Sequence, residues 1–160
     1  MKPEPDQSDV IRFLSLPQSY GAAAEVEAIT THTSIVFLAG DRAYKLKRAV
    51  KYSYLDYSTA ELRWRACEAE LALNRRTAPE LYLSVTPILR AADGALTFDG
   101  PGEPVEWVVV MRRFPQEALL SHLAEHGALT TELALELADR VAAFHAIADI
   151  APDHGGAEGV

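Results

Sequence analysis

Between residues 25 and 47 the apolar positions fall into three short runs. Glu25 to Thr30 (EVEAIT) alternates polar and apolar, as a half-buried strand does. Thr30 to Thr33 is a polar break, and SIVFLAG (34–40) is almost continuously apolar, the pattern of a central strand. RAYKLK (42–47) alternates again, and Gly40-Asp41 before it fits a hairpin turn because glycine accepts a positive φ. Three consecutive antiparallel strands are predicted.

The period then lengthens. SYLDYSTAELRWRACEAELALNRRTAP predicts a long helix, with Ser58 and Glu61 as a capping box, Arg75 and Arg76 at the negative end of the dipole, and Pro79 at the exit. At about 100° per residue, Leu62, Ala66, Ala69 and Leu73 make one apolar stripe, and Trp64, Cys67 and Leu71 a second. Glu61, Arg65, Glu68, Arg75 and Arg76 fill one polar gap between them, the solvent face. Glu70 lies in the other gap, near Arg63 and Asn74. Two polar gaps predict that one faces solvent and one a cleft. A carboxylate in a cleft needs a positive or hydrogen-bonding partner, for which Lys45, Arg63 and Asn74 are the candidates.

On either side of these elements the pattern is simpler. VIRFLSL is a short helix capped by Ser8 or Asp9 and stopped by Pro17, followed by a loop, QSYGAAA. LYLSVTPILRA and ALTFDG read as paired strands with a turn at Asp93-Gly94, and VEWVVVMRRF as a strong strand ending at Pro115. Beyond it the chain is helical: QEALLSHLAEHG stops at Gly127, and Thr130 caps TELALELADRVAAFHAIA, whose stripe is Leu133, Leu137, Val141, Phe144 and Ala148. This order predicts an α+β fold, an antiparallel sheet with one long helix inserted. The N-terminal helix is expected to cover Trp64 and Leu71, and the last helix to leave an apolar face exposed.

Composition narrows the function. The 160 residues are 49% hydrophobic, enough for a packed core. A net charge of −8 argues against nonspecific binding to nucleic acid or anionic membranes. A single cysteine, Cys67, leaves no internal disulfide and no multi-cysteine zinc site, and fits a reducing, cytoplasmic compartment. No run of 18 apolar residues and no apolar signal core is present. The histidines His32, His122, His126, His145 and His154 show no metal-ligand spacing with the acids or Cys67. His122 and His126, four apart on a helix, lack a third ligand.

Lys45 is the sharper candidate. Residues two apart on a strand share a face, so Ala43, Lys45 and Lys47 lie together, opposite Tyr44 and Leu46. Ala43-Tyr44-Lys45 reproduces the end of the kinase V-A-I-K strand, in which a small residue lets a flat ligand pass and the lysine meets its phosphates. The alternative is an exposed strand lysine. A helix glutamate paired with such a lysine holds it extended towards the nucleotide phosphates, so Lys45 is expected within salt-bridge reach of Glu70.

TSIVFLAGDRAYKLKRAV, CEAELALNRRTAPELYL and VEWVVVMRRFPQEALL together resemble the N-terminal part of the aminoglycoside phosphotransferase family, and in particular its bacterial two-part members, the bifunctional aminoglycoside phosphotransferase/ATP-binding proteins. The resemblance spans residues 8–148. It implies a protein-kinase-like N-terminal lobe over residues 1–110, a hinge at 111–115, the first helices of an incomplete C-terminal lobe at 116–150, and a loop or disordered end at 151–160. Lys45 would bind phosphate, with Ala43 on its face and Glu70 as its partner. Thr31 and Thr33 would lie in the loop over the phosphates. Met111, within the hinge stretch from Val110 to Phe114, would flank an adenine ring.

The implied activity of the complete protein is transfer of the γ-phosphate of ATP, with Mg2+, to a small-molecule acceptor. Its implied partners are a C-terminal lobe or a P-loop ATPase domain. The sequence departs from the family in three ways. No H-x-D loop follows Phe144-His145, since Asp149 and Asp153 stand outside that pattern. No G-x-x-x-x-G-K-[ST] motif is present, and Thr30 to Thr33 lacks glycine. The isolated chain is therefore expected to transfer no phosphate. The competing class is a non-enzymatic module that docks to an ATPase partner.

Overall fold

The three predicted strands form as read. β1 (Val26–Thr30), β2 (Ser34–Ala39) and β3 (Arg42–Lys47) pair antiparallel in series. Gly40, with φ +58°, makes the turn between β2 and β3. The chain then adds a small hairpin not predicted from sequence, β4 (Lys51–Tyr52) with β5 (Leu55–Asp56). Next come α2 (Ala60–Asn74), β6 (Tyr82–Arg90), β7 (Leu96–Thr97) and β8 (Glu103–Arg112). The computed structural model describes residues 6–21 and 25–150; the expected end segment 151–160, part of the QSYGAAA loop, Asp153 and His154 lie outside them.

The sheet order is β1-β2-β3-β8-β6-β7, antiparallel throughout. β8 thus enters between β3 and β6. Its Val108, Val109 and Val110 are buried on alternate sides, as a central strand covered on both faces requires. Pro87 is tolerated in β6 because β7 reaches only Leu89 and Arg90, leaving Pro87 on an open edge.

Each face of the sheet carries a helix. α1 (Ser8–Ser15) places Val10 and Leu14 against Ile35, Phe37, Leu46 and Val108, the main core. Phe13, Tyr20, Tyr44 and Phe98 extend that core as a ring cluster. α2 packs on the opposite face, with Glu70 against Lys45 and Lys47. The N-terminal helix therefore does not cover Trp64, contrary to expectation: Trp64 rests on Trp107, 6.1 Å between ring centroids.

Two local expectations, both at helix caps, are corrected. α1 has Gln7, not Ser8 or Asp9, at its N-cap, and Asp6 Oδ1 instead accepts from Ser8 N at 2.9 Å. α2 is capped by Thr59, whose Oγ1 accepts from Leu62 N, while Ser58 donates back to Asp56. The Leu62, Ala66, Ala69, Leu73 stripe does not face the sheet. Ala69 and Leu73 are exposed, and the inward residues are Arg63, Cys67, Glu70 and Asn74. Charged partners on the strands, rather than apolar area, select that face.

Contacts divide the chain into Met1–Phe114 and Pro115–Val160. The second unit holds a short 3₁₀ turn (Gln116–Ala118), α3 (Leu120–Glu125) and α4 (Thr131–Ile147). Gly127, φ +67°, ends α3, and Thr130 Oγ1 accepts from Leu133 N to cap α4, both as predicted. Among the described residues no helix is long and apolar enough to cross a membrane.

Candidate functional site

The register builds two rows of side chains on the face of Lys45. Ile29, Val36, Lys45 and Val109 stand side by side across β1, β2, β3 and β8. Next to them run Glu27, Leu38, Ala43 and Met111. Paired residues across a ladder point the same way, so an ammonium stands at the edge of an apolar floor whose neighbouring position, Ala43, has almost no side chain. Leu38, Ala43 and Val109 are buried; Val36 and Met111 are half-buried. β8 continues through Arg112, so Met111 sits within the ladder, opposite Ala43 on one side and Tyr82 on the other.

Glu70 meets this face from α2. Its Oε1 accepts from Lys45 Nζ at 2.8 Å, and its Oε2 from Lys47 Nζ at 2.6 Å. Of the three partners considered for Glu70, Lys45 is the one the structure supplies. The Asn74 side chain donates to the Glu70 backbone carbonyl rather than to its carboxylate, and Arg63 is engaged elsewhere. Lys47 is a second partner not predicted from the sequence, although strand alternation places it on the face of Lys45. The two lysines differ in access: the Lys45 side chain is 29% exposed and that of Lys47 is 5% exposed. Lys47 Nζ also lies 5.1 Å from the centre of the Tyr57 ring.

The cluster carries two cations on one anion. Burial alone would raise the Glu70 pKa, but hydrogen bonds and charge from Lys45 and Lys47 outweigh it and hold the carboxyl below its ordinary 4.5. Burial likewise works against the Lys47 ammonium, yet Glu70 outweighs it and raises the Lys47 pKa above 10.5. Beside them the Cys67 thiol is pushed up to about 12, first by burial, so it stays protonated as a small core residue.

These shifts fix a pH dependence. Glu70, depressed in the folded state, contributes stability above its unfolded pKa and loses it as pH falls through the depressed value. Lys47, raised in the folded state, contributes fully below 10.5 and loses its contribution as pH climbs through the raised value. Urea unfolding between about pH 3 and 7 should therefore show an acid limb that is shallower in Glu70→Gln than in the wild type. Superimposable acid limbs would mean that the cluster does not contribute.

A second ion pair, unforeseen from the sequence, seats the first half of α2. Arg63 Nε and Nη2 donate to Glu106 Oε2 at 2.9 and 2.6 Å, and both side chains are only 2% exposed. Glu106 lies just past the last β3–β8 pair, Leu46 with Val108. Gln7 completes the junction. Its Nε2 donates to Glu106 Oε2 and to the Lys47 carbonyl, and its Oε1 accepts from Ala49 N. Among the described residues no buried side-chain polar atom lacks a partner.

The β1–β2 turn is closed on itself. Thr31 Oγ1 accepts from Ser34 N and donates to Ser34 O, both at 3.1 Å, so its hydroxyl is engaged within the turn. Arg48 Nη1 donates to the carbonyls of Thr31 and His32, and Arg48 N to that of Thr33. Thr33 is half-buried beside it. In the second unit His122 and His126 stack on each other at 4.0 Å, and His126 Nδ1 bonds the His122 carbonyl. Among the described residues no group of three or more His, Cys, Asp or Glu is placed to hold a metal ion such as Mg2+. A groove of about 850 Å³ between Arg90–Asp93 and Pro101–Val105 lies at the end of the β6–β8 ladder away from Met111.

Uncharacterized proteins of Mycobacterium tuberculosis and Mycobacterium bovis are each 39% identical to this chain over 121 residues, 75% of its length. The match covers 22% of their own length, so the chain spans about a fifth of these relatives. No family model and no solved structure matches the chain.

Proposed function

We propose that the sheet and α2 form the phosphate-binding half of a kinase-like nucleotide site, in a protein that moves the γ-phosphate of ATP to a small-molecule acceptor. The resemblance to the aminoglycoside phosphotransferases implies this activity. One observation carries it on the structural side: Lys45 Nζ stands 2.8 Å from Glu70 Oε1, with Ala43 and Met111 in the adjoining row. Glu70 fixes the direction of the lysine, and the floor of Val36, Ala43 and Met111 offers apolar area for a flat ring. Two lysines against one carboxylate leave one positive charge to meet a phosphate.

The acceptor side of the reaction needs a positioned base and a metal-binding carboxylate. The sequence of this chain offers no H-x-D loop for them. The chain is therefore expected to bind nucleotide without turning it over.

Titration of the 160-residue chain with ATP, with and without Mg2+, tests the reading. Lys45→Met should weaken binding about tenfold or more, the usual weight of a charge-assisted hydrogen bond. Equal affinity in the two proteins, or no binding by the wild type, would sink it. Incubation with labelled ATP, magnesium and a panel of alcohols and amines should transfer no label above a Lys45→Ala control. Transfer above that control would place acceptor chemistry in this chain.

A further inference from the structure

The lysine two residues beyond Lys45 has a task that the phosphate-binding reading leaves open. Glu70 uses one oxygen for each lysine, Oε1 for Lys45 and Oε2 for Lys47. A phosphate that recruits Lys45 must draw it off Glu70, at least in part. With Lys45 as its sole partner, a half-buried carboxylate would be stripped of its countercharge by that move, which is strongly unfavourable. The anion would then compete with Glu70 for one ammonium.

Lys47 is built to stay behind. Its side chain is 5% exposed against 29% for Lys45, and the Tyr57 ring lies on the ammonium at 5.1 Å. Its own backbone carbonyl is held by Gln7 Nε2 at 3.0 Å. The helix end of the contact is fixed as well. Arg63, two turns before Glu70, is locked to Glu106 on β8. Glu70 therefore cannot follow Lys45 outward, and Lys47 cannot leave Glu70.

We propose that Lys47 is a positioning residue: it keeps Glu70 in place and charge-compensated, so that Lys45 is free to exchange its Glu70 hydrogen bond for a phosphate oxygen. The inference rests on the reading of Lys45 as the phosphate ligand. Lys47 itself does not touch the anion. In this arrangement the cluster passes from two lysines on one glutamate to one lysine on the glutamate and one on the phosphate, with both carboxylate and phosphate paired throughout.

The test is a set of affinities of the whole chain for inorganic tripolyphosphate and for ATP. Lys47→Met should weaken both about tenfold, because Glu70 then captures Lys45. Adding Glu70→Gln to Lys47→Met removes the captor and should bring affinity to within about threefold of Glu70→Gln alone, which loss of a direct contact or of general structure would not allow. Lys47→Arg, which retains the charge, should bind like the wild type and provides the readout if Lys47→Met is too unstable to titrate. Glu70→Gln alone measures what Glu70 contributes by directing Lys45, and is the reference for the double variant.

Wild-type affinity in Lys47→Met overturns the proposal. So does a double variant about tenfold weaker than Glu70→Gln alone, or a Lys47→Arg protein that folds but binds weakly. If the wild type shows no Lys45-dependent binding, the phosphate reading itself fails and this inference falls with it. Lys45-dependent binding that is indifferent to Lys47 leaves the phosphate reading standing and removes only the role of Lys47.

Discussion

Arg63→Met is expected to destabilise the sheet unit by about 3–5 kcal/mol, because it leaves the Glu106 carboxylate buried without its countercharge. Glu106 would retain only Gln7 Nε2 and Trp107 N as donors. Set against a typical domain stability of about 5–15 kcal/mol, the loss is large enough to move a urea midpoint markedly. The apolar double variant Arg63→Met with Glu106→Leu should recover most of the loss, since neither charge then remains buried. That contrast separates the cost of an orphaned charge from the net worth of the pair. If Arg63→Met unfolds at the wild-type midpoint, the 2% exposure of both side chains does not describe the protein in solution.

The same pair shows where sequence reasoning ended. The helical wheel separated two polar gaps on α2 and set Glu70, Arg63 and Asn74 together in one of them. That grouping is the inward face of the folded helix. What the wheel could not supply was the direction of that face, because a helix with two apolar stripes and two polar gaps has no unique inward side. The strands decide it, through Lys45, Lys47 and Glu106. Alternation alone had placed Lys45 and Lys47 on one face, so the second lysine was available from the pattern.

Other features depend on pairings between distant segments and leave no local trace. The β2–β3 hairpin was readable because Gly40-Asp41 joins neighbours in sequence. The insertion of β8 between β3 and β6 joins residues 43 and 111, and nothing in either segment names its partner. Gln7 is a similar case. A polar residue ahead of a helix reads as a cap, whereas its amide bridges Lys47, Ala49 and Glu106. The start of α2 lies one position later than the Ser58 capping box predicts, because Ser58 and Thr59 are equally good caps on composition and Asp56 takes Ser58.

The second unit should behave as a weakly protected helix with an open apolar face. Among its described residues none is buried. On α4, Leu137 and Val141, one turn apart on the predicted stripe, are 45% and 44% exposed, while Leu133 and Phe144 of that stripe are half-buried; Leu135 and Ile147, off the stripe, are 62% and 80% exposed. Full burial of one such side chain is worth about 1.5–3 kcal/mol, and α4 forgoes more than half of that gain at Leu135 and Ile147 and somewhat less than half at Leu137 and Val141. Its Thr130 cap contributes only about 1 kcal/mol, and most of a helix's stability in a protein comes from packing of its apolar face. In dilute solution the α4 amides are therefore expected to exchange about a thousandfold faster, or more, than those of Val108–Val110 in β8. The chain should bind a hydrophobic dye and sediment as larger species when concentrated. Leu137→Lys with Val141→Lys should abolish most of the dye signal and leave the unfolding of the sheet unit unchanged. A dye-free monomer whose α4 amides exchange as slowly as those of β8 would show that this face is covered in solution.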